Sequence, residues 1–305
     1  MLFNLHTHTR FSDGSSEPET YIEEAILQGF STLGFSDHSP VPFENTFAIR
    51  EKEVLDYGRT IKLLQQSEIV NLKSEIRNLK SEIQNRKSKI VNRKSKINIL
   101  LGLEIDYIPG VTRSFSEYRE LLQLDYTIGS VHLVRNSDPS SLWFIDGPDI
   151  AIYDKGLQEV FNGDIRKGVT AYYRQIREMV AGQKPDIVGH LDKIKMYNRD
   201  RYFSEDDAWY VQQVDETLDQ IEETGCIVEI NTRGLYKKRS DTLFPGPAIL
   251  KKLLARNIPV TLSSDAHKPH ELSLLFDETK DLLSAMGFRE LMNLTPGGWE
   301  CVSLK

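Results

Sequence analysis

The sequence predicts an α/β protein built on a parallel β-sheet that closes, or nearly closes, into a barrel. Seven short apolar runs alternate with amphipathic segments, an order typical of parallel strands joined by helices. The runs cover residues 2–5, 32–36, 97–105, 126–131, 186–190, 226–230 and 258–263. The same order leaves a doubly wound open sheet as the alternative.

The helices between the runs are predicted from apolar periodicity and from residues that start or stop helices. Ser16 and Glu19 have the spacing of a capping box, and Gly29 is a typical stop, so we expect a helix over residues 16–29. The same reasoning predicts helices over residues 204–225, 247–257 and 270–287.

Length and composition indicate one soluble domain. The chain has 305 residues and no linker rich in Pro, Gly or Ser, so we expect a single domain over residues 1–305. The net charge of −7 gives no sign of a general affinity for nucleic acid. No signal peptide or membrane span is recognisable. The sequence therefore predicts a cytoplasmic protein in which Cys226 and Cys301 are reduced.

One segment, residues 67–97, differs from the rest of the chain. It repeats a near-identical unit of seven residues, with Ile69, Ile76, Ile83, Ile90 and Ile97 at one position of the heptad and Leu72 and Leu79 three residues later. This is the apolar pattern of a coiled coil, and it predicts an insertion through which a homodimer could form. Residues 65–98 hold 9 basic and 3 acidic residues, a local charge of +6 that opposes pairing with a parallel copy. A protruding arm with no catalytic role is the alternative.

Six of the seven histidines lie at the carboxyl ends of the apolar runs. They are His6, His8, His38, His132, His190 and His267. Glu104 and Asp265 also lie at the ends of runs, and Asp13 follows the first pair of histidines. Because active sites of parallel α/β folds lie at the carboxyl ends of the strands, we expect these side chains to meet.

Nine such groups indicate metal binding. Crowded imidazoles and carboxylates need a cation to compensate them, and this mixture suits zinc, manganese or iron. A zinc site uses three or four protein ligands, so nine predict two or three divalent transition-metal ions. His6 and His8 project to the same side of the first strand and would form half of one site.

Six short motifs contain the nine candidate ligands. The motifs HTHTRFSDG, GFSDHS, GLEIDY, IGSVH, GHLDKI and SSDAH, in this order, resemble those of the PHP superfamily of metal-dependent phosphoesterases. FNGDIRKGVTAYYRQIREM and EINTRGLY resemble its bacterial histidinol-phosphatase branch. The resemblance implies a distorted seven-stranded β/α barrel with three metals, interrupted here by the heptad insertion.

The resemblance also implies a distribution of ligands. His6, His8, Glu104 and Asp265 would bind the first metal, and Glu104 would bridge to a second metal held by His132 and His190. Asp13, His38 and His267 would hold the third. Some members carry a histidine where this chain has Gly14, so Asp13 is assigned instead, and its oxygen would favour manganese or iron over zinc there. Asp37 and Asp192, each beside a motif histidine, are expected to orient imidazoles.

Clustered metals suit the hydrolysis of phosphate monoesters, because they activate water and neutralise charge on the phosphate. Arg233 follows the sixth run and is expected to grip the phosphate with its planar guanidinium. The proton for the leaving alkoxide could come from Asp265 or from water. Glu104, Asp265 and Arg233 are therefore the predicted catalytic residues.

By resemblance the substrate is L-histidinol phosphate. Residues 143–149, WFIDGPD, place Trp143, Phe144 and Asp146 where they could stack on its ring and pair with its amine. Two alternatives remain open at the level of sequence. One is a phosphoesterase for nucleotides or other small phosphate esters, and the other is a non-enzymatic scaffold with a structural metal site.

Overall fold

A computed structural model of the chain describes residues 1–66, 97–138 and 141–304 and shows an α/β fold with parallel sheets. The strands are β1 (Phe3–Asn4), β2 (Thr32–Phe35), β3 (Asn98–Leu101), β4 (Glu104–Asp106), β5 (Ile128–Ser130), β6 (Leu133–Arg135), β7 (Leu142–Phe144), β8 (Ile187–Val188), β9 (Ile227–Asn231), β10 (Val260–Ser263), β11 (Glu290–Thr295) and β12 (Gly298–Ser303). Each of the seven apolar runs contributes a parallel strand, as predicted.

Helices cover most of the segments between these strands. They are α1 (Pro18–Gln28), α2 (Val54–Gln66), α3 (Phe115–Leu122), α4 (Ile150–Phe161), α5 (Ile165–Gln183), α6 (Ala208–Thr224), α7 (Arg233–Tyr236), α8 (Pro247–Ala255) and α9 (Phe276–Met286). Among the described residues, none of the helices is long and apolar enough to cross a membrane. Both cysteines are free thiols, Cys226 buried and Cys301 exposed.

The parallel strands form two sheets. One has the order β1-β2-β3 and the other the order β10-β9-β8-β5-β4. Two isolated parallel bridges join the sheets, Thr7 to Ala266 after β1 and β10, and His38 to Glu104 after β2. These bridges bring the segments that carry the predicted ligands next to one another.

One apolar run, residues 97–105, is divided between the two sheets. β3 pairs with β2, whereas β4 pairs with β5. The break falls at Gly102, where an added Cβ would lie 2.3 Å from the ring of Tyr126. A larger residue would clash with that ring, so glycine is required at the point where the chain passes from β3 to Glu104 at the start of β4.

The antiparallel hairpin of β11 and β12 covers the amino-terminal ends of several parallel strands. Leu294 of β11 packs into a small core formed by strand residues from both sheets. The other members of this core are Leu5, Leu100, Tyr126, Ile128, Ile187 and Ile227. With the amino ends covered by apolar contacts, the carboxyl ends are left to carry the polar site.

Three predicted helix starts are wrong. The capping box of Ser16 and Glu19 does not form, because α1 begins only at Pro18 and its N-cap, Glu17, makes no side-chain cap bond. Proline is favoured at the first helical position, where its fixed φ is already helical. Helix α6 begins at Ala208 rather than at Ser204. Helix α9 begins at Phe276 rather than at His270, because a 3₁₀ turn, Pro269–Glu271, comes before it.

The predicted helix stops at Gly29 and Gly225 are confirmed. Both glycines end their helices in the left-handed conformation, with φ of 80° and 72°. The heptad repeat lies outside the described residues over 67–96, and its last isoleucine, Ile97, is buried directly before β3.

Candidate metal centre

Eight of the nine predicted ligands lie just beyond the carboxyl ends of parallel strands, whereas Glu104 follows β3 and opens β4, and all nine side chains converge. Three overlapping groups offer ligand atoms within 4.8 Å of one another. They are His8, Asp13, His38 and His267; then His6, His8 and Asp265; and finally His38, Glu104 and His132. His190 completes the set, because its Nε2 lies 3.0 Å from Glu104 Oε1 and 3.1 Å from His132 Nε2.

Four buried atoms from three segments enclose one position. His6 Nε2 lies 3.2 Å from Glu104 Oε2 and 3.9 Å from Asp265 Oδ1. His8 Nε2 lies 3.5 Å and 3.3 Å from the same two oxygens. A tetrahedral zinc ion with bonds of about 2.0 Å needs ligand atoms about 3.3 Å apart. The four atoms therefore have the spacing of a zinc-sized cage.

The same four atoms have no hydrogen-bond partner. His6 Nε2, His8 Nε2, Glu104 Oε2 and Asp265 Oδ1 are all buried and unpaired within the described structure. Leaving one buried polar group unsatisfied costs about 1–3 kcal/mol, so four that face one point require a common partner. A divalent cation satisfies all four at once, and the donor set fits such an ion.

Glu104 presents its two oxygens to two different groups of side chains. Oε2 faces the cage of His6, His8 and Asp265 and also lies 2.9 Å from His38 Nδ1, while Oε1 lies 3.0 Å from His190 Nε2 and 3.6 Å from His132 Nε2. Ser130 Oγ donates a hydrogen bond to Oε1 at 2.6 Å and fixes the carboxylate plane. This is the geometry of a carboxylate that bridges two neighbouring ions.

A third group surrounds Asp13. Its Oδ1 lies 3.0 Å from His267 Nε2, 3.8 Å from His38 Nε2 and 3.9 Å from His8 Nδ1. The Asp13 side chain is 33% exposed, whereas the Glu104 side chain is 1% exposed. The third position is therefore the most open to solvent of the three.

Burial and neighbouring charges set the protonation of the ligands. Burial alone would raise the pKa of Glu104, but the imidazoles of His6, His38 and His132 hold it well below the usual carboxyl value. Burial keeps the pKa of His8 well below that of an ordinary histidine, which favours the neutral form that binds metals. Burial also lowers the pKa of His38, but Glu104 outweighs burial and raises it to about 9. Of these three groups, His38 is therefore the one at which protons compete most strongly with a cation.

The imidazoles are oriented by carboxylates that the sequence reasoning missed. His6 Nδ1 lies 2.5 Å from Glu229 Oε1, and His132 Nδ1 lies 3.3 Å from Asp106 Oδ2. Such partners fix the ring orientation and raise the basicity of a metal-binding histidine. The available signal was an acidic residue inside a buried apolar strand, since Glu229 lies in the run CIVEI and Asp106 follows LLGLEI.

The two carboxylates predicted for that role have other partners. Asp37 accepts hydrogen bonds from the backbone and hydroxyl groups of Thr9 and Ser12, and so holds the turn that leads to Asp13. Asp192 accepts from the backbone N–H of Gly246 and pairs with Lys195 at 2.7 Å. Each lies one or two residues from a histidine in sequence, but its side chain points to a different part of the fold.

Two ligand residues have backbone conformations that are rare for their type. φ is 23° at His190 and 51° at Asp265. Glu229 Oε2 accepts the backbone N–H of His190 at 2.8 Å and stabilises that conformation. Strained backbone of this kind is concentrated at functional sites, where the surroundings compensate its cost.

A cavity of about 220 Å³ opens beside the ligands. Asp13, His38, His132 and His267 line one side, and Arg233 and Arg239 supply cationic groups. Arg233 donates from Nη1 to the backbone carbonyl of Asp265 at 2.8 Å, so the predicted phosphate-binding arginine lies at the candidate centre. Arg239 lies in the segment that follows α7.

The loop residues suggested for substrate binding divide into two groups. Phe144 and Asp146 line the cavity, as expected. Trp143 does not, because it is buried against Tyr153 and Phe161 and donates its indole N–H to the Tyr153 carbonyl. Successive side chains of a strand point to opposite faces, which separates Trp143 from Phe144. Phe47, from the loop after β2, lines the cavity and was missed.

The family model of the PHP domain matches residues 4–233 of the chain. The chain belongs to the PHP family. Its PHP match contains seven of the nine candidate ligands. Asp265 and His267 lie in the segment that follows β10, beyond the matched residues, and the fold brings them to the centre.

The PHP chain is similar to curated histidinol-phosphatases over nearly its whole length. A Deinococcus radiodurans protein named "Probable histidinol-phosphatase" is 26% identical over 290 residues, which are 94% of this chain and 94% of that protein. The histidinol-phosphatase of Bacillus subtilis is 26% identical over 286 residues, covering 89% and 96%.

A solved structure shares the fold. It is the histidinol phosphate phosphatase of Lactococcus lactis, in complex with zinc, L-histidinol and phosphate. The two folds superpose with a TM-score of 0.62 at 20% sequence identity, and the match covers 98% of each chain.

Proposed function

We propose that this PHP protein is a metal-dependent phosphomonoesterase that hydrolyses L-histidinol phosphate to L-histidinol and phosphate. The observation that carries the proposal is the pair of ligand groups on either side of Glu104, because a bridging carboxylate places two cations close enough to act on one phosphate. The names of the full-length relatives from D. radiodurans and B. subtilis support this substrate.

We assign the ligands as the sequence predicted. His6, His8, Glu104 and Asp265 would hold the first ion, Glu104, His132 and His190 the second, and Asp13, His38 and His267 the third. The cofactors are two or three divalent ions of zinc, manganese or iron. When bound, these ions supply Lewis acidity that activates water and stabilises charge on the phosphate.

The chain's own residues position the reactants. Arg233 and Arg239 line the cavity, and their guanidinium groups bind the phosphate oxygens. Glu229 and Asp106 hold His6 and His132 in place, so that the centre does not reorganise during the reaction. Either Asp265 or a water molecule delivers the proton that the leaving alkoxide requires.

We also propose that residues 1–305 form one domain whose parallel strands close into a distorted seven-stranded barrel, with β3 and β4, which come from one apolar run, counted as one strand. The two bridges that join the sheets, Thr7 to Ala266 and His38 to Glu104, support this arrangement. The heptad segment would be an insertion into that domain, and a cytoplasmic location stays a prediction from the sequence.

The test is phosphate release from a panel of esters by purified, metal-loaded protein. The panel contains L-histidinol phosphate, nucleoside monophosphates and glycerol phosphate. We expect the highest kcat/KM for L-histidinol phosphate. A higher kcat/KM for a nucleotide would favour the alternative of a phosphoesterase that acts on nucleotides. No phosphate release from any ester would favour a non-enzymatic protein with a structural metal site.

A further inference from the structure

The candidate cavity has a chemically divided lining. Metal-ligand candidates and the guanidinium groups of Arg233 and Arg239 make up its polar part. The apolar part consists of Phe47, Phe144 and Pro148, with Thr46 beside them. A phosphate ester must place its phosphate toward the polar part, so the remainder of the alcohol extends toward the two phenylalanines.

The two rings form one continuous surface. Their centroids are 5.8 Å apart and their planes differ by 14°. Inserting a third ring between them would need a separation of about 7 Å, twice an ordinary carbon contact. A ligand ring therefore packs against the outside of the pair, in an offset or edge-to-face arrangement.

Phe47 joins this surface to the metal ligands. Its ring meets the imidazole of His38 edge to face, with centroids 5.6 Å apart and planes at 86°. Phe144 lies on β7, directly after Trp143, whose side chain is packed into the core. The surface is thus fixed relative to the reacting centre on one side and to the core on the other.

Recognition of the alcohol by charge is disfavoured here. Asp146, the carboxylate beside the aromatic surface, already lies 2.7 Å from Lys193 Nζ and 3.8 Å from Arg239 Nη1. An incoming cation at Asp146 would meet the repulsion of both neighbours. A planar, uncharged ring meets no such opposition at Phe47 and Phe144.

We infer that Phe47 and Phe144 form a specificity surface that binds the planar ring of the substrate alcohol and selects phosphate esters of ring-bearing alcohols over aliphatic ones of similar size. This inference rests on the proposed function and adds to it the part of the substrate, the planar ring, that the site recognises. Stacking on the surface contributes through both KM and kcat, because it also sets where the ester lies.

The test compares two substrates that differ only in the side chain. L-Histidinol phosphate carries an imidazole, whereas L-leucinol phosphate keeps the amine and the phosphate but has a branched aliphatic group. Phe144→Leu should lower the preference for L-histidinol phosphate, taken as the ratio of the two kcat/KM values, by about three- to tenfold, the usual worth of one aromatic contact. Phe144→Tyr keeps the ring and should retain the preference.

Phe43→Leu is the matched control. Phe43 belongs to the same loop as Phe47, is 37% exposed and does not line the cavity. Its replacement should leave both kcat/KM values unchanged. Circular dichroism and metal content of each variant separate loss of folding from loss of selectivity.

Two outcomes would overturn the inference, and they are distinguishable. If the wild type prefers an aliphatic ester, the proposed function fails and the ring surface fails with it. If the wild type prefers L-histidinol phosphate but Phe144→Leu slows both substrates equally, only the ring surface fails.

Discussion

His6 Nδ1 and Glu229 Oε1 lie 2.5 Å apart, and both side chains are fully buried. Glu229 also accepts hydrogen bonds from Ser263 Oγ, from the backbone N–H of His190 and from Asn231 Nδ2. One carboxylate thus links the group around His6 to the group around His190. No substrate or ion need touch Glu229 for it to control both.

Glu229→Gln should weaken metal binding. Every neighbour of Glu229 donates a hydrogen bond, so the amide N–H₂ of glutamine would face a donor and leave buried groups unsatisfied. We expect metal affinity to fall by about 10- to 100-fold. Competition with a chelator of known affinity measures this. Glu159→Gln, on the exposed face of α4, is the matched control and should bind metal like the wild type. Equal affinities in the two variants would contradict the linking role.

Glu104→Gln tests the bridging carboxylate. Protein purified without chelator should contain at least two equivalents of transition metal by elemental analysis, and the variant should contain fewer, because Glu104 faces both ligand groups. Activity should disappear with a chelator and return when the metal is restored. An active wild type with one equivalent or none would exclude a multinuclear centre.

Arg233→Lys tests phosphate binding. Lysine keeps the charge but loses the planar fork, and it cannot both reach the Asp265 carbonyl and grip a phosphate. We expect KM to rise roughly tenfold or more, with metal content unchanged, on the scale of one charged hydrogen bond of about 1.5–3 kcal/mol. Steady-state kinetics with L-histidinol phosphate measures the effect. The exposed Arg59→Lys serves as control, and identical kinetics in both variants would remove Arg233 from the site.

Replacing residues 67–95 with a short Gly/Ser loop should preserve phosphatase activity. None of the ligands lies in the segment, and Gln65 Nε2 donates to the carbonyl of Ile99 at 3.1 Å, so the two ends are already adjacent. The free energy of closing a loop changes slowly with its length. Phosphate release and solution mass are measured together. A lower mass would indicate that the insertion forms a dimer, and a folded, metal-loaded but inactive protein would show that the insertion has a catalytic role.

The sequence by itself determined the parallel strands and predicted which side chains converge at their ends. Apolar runs of four to nine residues specified where strands form, because burial on both faces requires such runs. The placement of His6, His132 and Asp265 directly after those runs specified which side chains meet, since the ends of parallel strands share one side of a fold. Family motifs then distributed the ligands among three positions.

Only the tertiary structure decided which groups support the ligands. Glu229 is 223 residues from His6 in sequence, and Asp106 is 26 residues from His132. No local spacing in the sequence therefore points to these pairs. Conversely, Asp37 lies next to His38 in sequence but holds the turn that carries Thr9 and Ser12.

The same limit applies to the substrate side of the cavity. Trp143 and Phe144 are adjacent, yet one lies in the core and the other lines the cavity, where it meets Phe47 from a loop almost 100 residues earlier. Hydrophobic pattern and motif fix which segments form strands and which residues end them. The direction of each side chain depends on packing against distant segments, and that is decided only when the chain folds.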